Sequence, residues 1–221
     1  NVPTGSYIPG DEYICEVETG KQYHFFIIST EENNVNLIMD RNIDSAGNYS
    51  TKNNPGYSLW FEEGSNVLSG PGAAFDFLYL ATKSWNIPNI SINYSKYSKI
   101  TTVNDITNIV SESGEISRSY NNLKARMITL EESENLGCSS TSGTCPLFLA
   151  NYLSNTTDTY TNGTNFDTEL TGYWTMTGMV MQIPAFAFEI GNKGSVSYVA
   201  ANSTSKIGIR PVISIPKSNL E

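Results

Sequence analysis

Apolar and polar positions alternate along the first third of the chain. Tyr13 to Val17, Tyr23 to Ser29 and Val35 to Met39 are rich in aromatic and β-branched residues, and Glu18-Thr19-Gly20-Lys21 and Glu31-Glu32-Asn33-Asn34 divide them. A period of two broken by turn residues predicts an antiparallel meander. The period then changes: in Pro71 to Trp85, Ala74, Phe77, Leu78, Ala81 and Trp85 recur at helical spacing behind a first-turn proline. That predicts a helix packed across the sheet.

Between these stretches, Asp40 to Asn54 reads as a polar loop. Asn86 to Tyr120 turns to Asn, Ser, Thr, Ile and Tyr without helical periodicity, which predicts a long loop insertion with short strands around Ile100 to Val103 and Glu115 to Arg118. Asn122 to Thr129 reads as a strand, Leu130 to Leu136 as a helix closed by Gly137, and Pro146 to Leu153 as a second helical segment. Thr129 and Glu132 have the S/T-x-x-E spacing of a capping box, in which each side chain satisfies the other's backbone N–H. After a polar loop from Asn155 to Gly172, strands are expected at Tyr173 to Met176, Ala185 to Ile190, Ser195 to Ala200 and Ile207 to Ile215. Gly191-Asn192-Lys193-Gly194 supplies a hairpin turn. The pattern predicts an α+β fold, with two main helices on one twisted antiparallel sheet and the chain ends close together. At 221 residues this suits one domain, 1–221, with 86–120 inserted and no solenoid repeat.

Composition narrows the setting. Only 16% of residues are charged, so Asn, Ser, Thr, Tyr and Gly must cover the surface, as in an extracellular binding protein. The 22 acidic against 13 basic residues give a net charge of -9, and no Lys/Arg cluster offers phosphates a track, so nucleic acid is not an expected partner. No apolar run approaches the roughly 18 to 20 residues that cross a bilayer. Because the sequence opens at Asn1 with neither Met nor a signal segment, removal of an upstream signal or anchor is expected, with a secreted or cell-surface location.

The three cysteines are Cys15, Cys138 and Cys145. Cys138-Ser-Ser-Thr-Ser-Gly-Thr-Cys145 is spaced for a loop-closing disulfide; the rival reading, a pair of zinc thiolates, lacks a second ligand pair. Cys15 reads as a small buried hydrophobe in a strand, against intermolecular pairing. His24 is the one histidine, in Gln22-Tyr-His-Phe-Phe-Ile-Ile28, and there is no G-x-S-x-G elbow, so triad chemistry is disfavoured. The carboxylate pairs Glu31-Glu32, Glu62-Glu63 and Glu131-Glu132 read as solvated neighbours rather than a glycosidase pair. Asp40 to Asn48 has alternating oxygen donors, but Ser45 and Thr51 stand where a calcium loop of the EF-hand type needs Gly and an acid; a polar turn is the stronger reading. No catalytic residue, metal or cofactor is expected.

Two distant segments, Ala125-Arg126-Met127-Ile128-Thr129-Leu130-Glu131-Glu132 and Gly208-Ile209-Arg210-Pro211-Val212, resemble the R-L-P-T-E-x-E-W-E and G-F-R-(P/C)-V segments of the formylglycine-generating-enzyme-like branch of the C-type-lectin fold. The whole chain is also similar to bacterial surface proteins, some fused to pilin-type anchors. Their L-I-L-D-x-N, G-P-x-x-A, N-L-K-A-R-M, G-Y-W-T and G-V-R-P-V-I segments match Leu37 to Asn42, Gly70 to Ala74, Asn122 to Met127, Gly172 to Thr175 and Gly208 to Ile213. The resemblance implies a C-type-lectin-like scaffold without the oxidase. The relatives' copper-binding cysteines lie late in the fold, whereas no cysteine follows Cys145, and Ser133 replaces the motif's Trp. The calcium-lectin signatures E-P-N, Q-P-D and W-N-D are absent too.

Within that scaffold Arg126 and Arg210 read as structural, each a guanidinium fork that holds a carboxylate such as Glu132 or several carbonyls. Trp174 reads as core. The late segment from Met176 to Lys206 is the expected ligand face, with Met179, Met181, Gln182, Glu189, Tyr198, Asn202 and Thr204 as candidate contacts. Some proteins of this fold are diversified there, though Met179, Met181 and Gln182 are not products of the usual Asn-codon randomisation. The expected function is a non-enzymatic extracellular ligand-binding or adhesion domain, its partner an unknown host or bacterial surface protein or glycan. The alternatives are a pilin-like fibre subunit that self-associates and a degenerate enzyme of the formylglycine-generating type.

Overall fold

The computed structural model describes residues 7–51, 53–61, 70–103, 106–150, 170–179, 186–191, 193–201 and 206–220; for 95–103, 106–118, 170, 171, 179 and 206 it describes the backbone alone. The strands are β1 (Glu12–Glu18), β2 (Lys21–Thr30), β3 (Asn34–Met39), β4 (Ile90–Val103), β5 (Ile106–Leu123), β6 (Leu170–Met179), β7 (Phe186–Gly191), β8 (Val196–Ala200), β9 (Lys206–Gly208) and β10 (Val212–Pro216). The helices are α1 (Gly72–Thr82), α2 (Leu130–Asn135) and α3 (Leu147–Ala150). The fold is α+β, with mostly antiparallel pairing.

The strands form two four-stranded sheets, in the orders β1-β2-β3-β10 and β8-β7-β6-β9, and a separate two-stranded ribbon, β4-β5. One pair, β6 with β9, is parallel. The expected single sheet is therefore divided, and the expected last strand, Ile207 to Ile215, is divided with it. β9 belongs to one sheet and β10 to the other, with Ile209-Arg210-Pro211 as the crossing. Pro211 has no N–H to offer a ladder, and its carbonyl accepts from Met39 N at 2.8 Å, so the chain changes partners there.

The expected strand from Asn122 to Thr129 is also corrected. Asn122 takes a positive φ of 57°, which stops β5 one residue later, and beyond it only Arg126 pairs, in a single antiparallel bridge with Val212. That short pairing joins the sheets: Arg126 and Val212 exchange both backbone hydrogen bonds, at 2.9 and 2.7 Å, and Met176 N in β6 donates to Ile128 O at 2.9 Å.

Alternation assigns each strand to two buried clusters. Phe25, Ile27, Leu37, Ile213, Trp174 and Ala187 face one cluster, with α1 and the ribbon base; Ile28, Ile38, Val212, Tyr173 and Phe188 face the other, with α2 and α3. The inner strands β3 and β7 are thus covered on both sides, which is why they read as dense apolar runs. The ribbon joins the body through its base, where the Trp60 and Tyr94 ring centroids lie 6.2 Å apart and those of Phe75 and Tyr120 4.4 Å apart. At the chain ends, Tyr7 Oη donates to Lys217 O at 3.4 Å, so the first and last described segments meet.

Candidate functional site

Arg210 is fully buried at the crossing between the two sheets. Its Nε donates to Met39 O at the end of β3, Nη1 to Leu149 O at 2.8 Å and to Tyr173 Oη at 3.3 Å, and Nη2 to Phe148 O. Phe148 and Leu149 belong to α3, whose last carbonyls have no helical partner, so the guanidinium acts as a C-terminal cap from outside the helix. Tyr173 Oη also donates to Leu149 O at 2.8 Å. Among the described residues no carboxylate lies within ion-pair distance of Arg210; carbonyl dipoles and a phenol take its charge. Burial pushes the Tyr173 phenol up to about 12, against the downward pull of the Arg210 charge and hydrogen bond.

Arg126 is handled differently. Nη1 and Nη2 grip Glu132 Oε2 and Oε1 at 2.7 and 2.6 Å, a bidentate pair only 12% and 16% exposed, and Nη1 also reaches Met127 O. Glu132 at the same time completes the capping box: its backbone N donates to Thr129 Oγ1 at 3.0 Å, and Thr129 N donates to its Oε2 at 2.9 Å. Ser29 Oγ of β2 donates to Oε1 at 3.2 Å and in turn accepts from buried Asn36, so the clamp ties α2 to the first sheet. Burial alone raises the Glu132 carboxyl; Arg126, Thr129 N–H and Ser29 outweigh it and hold the group below its ordinary value.

Several glycines and tryptophans pack into or beside the same region. A Cβ on Gly208 would stand 2.1 Å from Asn42 Nδ2, so this glycine leaves room for a fully buried amide. Gly172 has no space either, since a Cβ would meet Ile190 O at 2.3 Å. Gly70, at φ +88°, lies flat against the Tyr94 ring. Trp174 is fully buried, and its Nε1 donates to Ser58 O at 2.8 Å, while Trp60 Nε1 donates to Thr175 O at 2.9 Å. The Cys138–Cys145 disulfide is formed, and both sulfurs are buried. Its loop lies along the β7–β8 connection through Gly143 N to Lys193 O, Cys145 N to Gly194 O and Ser139 O from Val196 N.

On the late face, Tyr198 is 49% exposed and stands edge-on to Phe186 and Phe188 at 5.6 and 6.3 Å. Glu189 is 6% exposed, with Oε1 accepting from Ser197 Oγ at 2.9 Å, so its carboxylate faces inward. Met179 ends β6, opposite Phe186. Met181, Gln182, Asn202 and Thr204 lie outside the described residues, as does the Met179 side chain. The β6 and β8 ends flank the start of β7 there, because Phe186 pairs with Met179 on one side and Ala200 on the other. Sequence reading missed Tyr57 and Leu59, both exposed, which Ser58 N to Ile207 O and Trp60 N to Ala201 O bring beside β9 and the end of β8. The alternation Tyr57-Ser58-Leu59 was the available signal, an edge segment with a wet apolar side.

Elsewhere the polar candidates have local employment. Asp44 Oδ1 accepts from Ala46 N and Asn48 N, and Oδ2 from Asn54 Nδ2 at 2.6 Å, which organises the 40–54 loop around one carboxylate. His24 Nδ1 meets Glu12 Oε1 at 2.5 Å on the exposed side of β2. Cys15 is free and half-buried in β1, and burial raises its thiol to about 11. Among the described residues no group of three His, Cys, Asp or Glu is placed to hold a metal ion, and no helix is long and apolar enough to cross a membrane. No family model, no curated protein and no solved structure matches the chain.

Proposed function

We propose that this chain is a non-enzymatic extracellular ligand-binding or adhesion domain of the bacterial surface-protein type, on a C-type-lectin-like scaffold, secreted or held at the cell surface. One observation carries the reading. Segments at residues 37–42, 122–127, 172–175 and 208–213, matched to that group, pack at one buried junction, with 70–74 against the ribbon base beside it. Their arginines are fully engaged in holding it: Arg210 on three carbonyls and a phenol, Arg126 on Glu132. Such a frame fixes the ends of the late strands. Tyr198 supplies rigid aromatic contact area, Tyr57 and Leu59 beside β9 and the end of β8 add apolar area, and Gln182, Asn202 and Thr204 supply adaptable hydrogen bonds. The ligand is a host or bacterial surface protein or glycan.

The test is binding of the purified chain to arrays of glycans and of surface proteins. Wild type is expected to give at least one saturable signal that Tyr198→Ala and the triple change Gln182→Ala, Asn202→Ala, Thr204→Ala both weaken. A signal unmoved by either change places the ligand elsewhere and defeats the assignment of this face. The fibre-subunit alternative finds its support in the ribbon.

A further inference from the structure

The β4–β5 ribbon is built from 14 and 18 residues, so the shorter strand spans up to roughly 45 Å at about 3.3 Å per residue. Its base is packed into the body, through Tyr94, Tyr120 and Leu123. Among the described residues β4 pairs with β5 and β5 with β4, and neither joins a four-stranded sheet. A two-stranded ribbon by itself is marginal in water, since it lacks a third strand or a packed face. Strands that must stay unpaired are usually short, or carry proline. Here residues 95–118 contain no proline and one glycine, and include Ile100, Val103, Ile106, Ile109, Val110 and Ile116.

Charge says what fits those edges. β4 carries Lys96 and Lys99 and no acidic residue, whereas β5 carries Glu112 and Glu115, with Arg118 its only basic residue. Like charges facing each other across strands are unfavourable, so a β4 edge repels a second β4, and a β5 edge a second β5. A β4 edge and the β5 edge of another copy are complementary. We infer that the ribbon is an assembly arm: the β4 edge of one chain adds, antiparallel, to the β5 edge of a second copy. Because the two edges differ, the contact is heterologous; each added copy leaves one β4 edge and one β5 edge open, and the series does not close as a dimer. The inference stands on the ribbon and is independent of the ligand-binding reading, which concerns the late strands.

Sedimentation of the full chain over a concentration series tests it. Wild type is expected to form an open-ended ladder of species that weakens with salt. Lys96→Glu with Lys99→Glu, and separately Glu112→Lys with Glu115→Lys, are each expected to remain monomeric, and an equimolar mixture of the two variants to associate again, because each then offers the edge the other lacks. The fourfold swap, with all four charges exchanged within one chain, keeps the charge balance inside the ribbon. It is expected to self-associate as wild type does. Circular dichroism melts confirm that every variant is folded. A wild type that stays monomeric up to millimolar concentration, one that stops at a closed dimer, or charge variants that associate like wild type would each overturn the proposal.

Discussion

Two arginines, Arg210 fully buried and Arg126 nearly so, tie the sheets and helices of this molecule together, and they are neutralised in opposite ways. Around Arg126 the counter-charge is a carboxylate, Glu132, which is itself embedded in a helix cap and tied to β2 through Ser29. Around Arg210 there are only dipoles: Met39, Phe148 and Leu149 carbonyls and the Tyr173 hydroxyl. The first arrangement titrates in acid, the second in alkali. The difference also sets what each arginine does, since a carboxylate pair joins two side chains whereas the carbonyl cage joins three stretches of main chain.

The largest effect is expected at the cage. Arg210→Met removes the donor from three buried carbonyls and should lower unfolding free energy by about 3 to 5 kcal/mol, the range for breaking a buried charged network. Urea titration beside Arg126→Met sharpens the comparison, since the latter should cost about 1.5 to 3 kcal/mol, with Ser29 and Thr129 still serving Glu132. Equal losses would erase the distinction. Next, replacing Cys138 and Cys145 by Ser frees the loop ahead of α3, and for so short a loop should cost about 2 to 3 kcal/mol, seen as a lower Tm that reducing agent does not lower further.

The pH limits separate the two sites. Glu132 has a folded pKa below its unfolded value near 4.5, so its contribution is complete above that value and is lost as pH falls through the folded one. Glu132→Gln should therefore cost about 2 kcal/mol at neutral pH and flatten the acid limb of a stability profile. An acid limb of unchanged slope would show the pair to be unimportant there. Tyr173 behaves in the opposite sense: its folded value near 12 exceeds the ordinary 10.0, so stability is full below pH 10 and declines as the unfolded phenol ionises. Tyr173→Phe, the smallest of these changes at about 1 kcal/mol near neutrality, should reduce the alkaline slope by about 1.4 kcal/mol per pH unit between those values. Tyr13, Tyr23, Tyr49 and the Cys15 thiol, all raised by burial, also contribute to that slope.

The same contrast explains what the chain discloses before folding. The cap at Thr129 and Glu132, the meander β1–β3, the helix from Gly72 and the Cys138–Cys145 loop are local, so spacing alone reveals them. Glu132 as the partner of Arg126 was within reach, being six residues away on the next turn of structure. The cage around Arg210 was legible only in kind, because its carbonyls come from β3 and α3 and no side-chain letter announces a backbone acceptor. Division of the last strand at Pro211 was hidden for a related reason. A run such as Ile207 to Ile215 has the same alternation whether it pairs with one sheet or passes between two. The ribbon escaped because its sequence shows no regular alternation of apolar positions, so Asn, Ser and Thr read as loop even where the backbone is extended.

One contact bears on descent. Asn42 occupies the space that a side chain at Gly208 would fill, and among the described residues neither its amide oxygen nor its nitrogen finds a hydrogen-bond partner, so the amide is held there by shape. Two letters remote in the chain consequently share one space. An alanine in place of the glycine would push the amide aside, so substitutions at the two positions should be coupled.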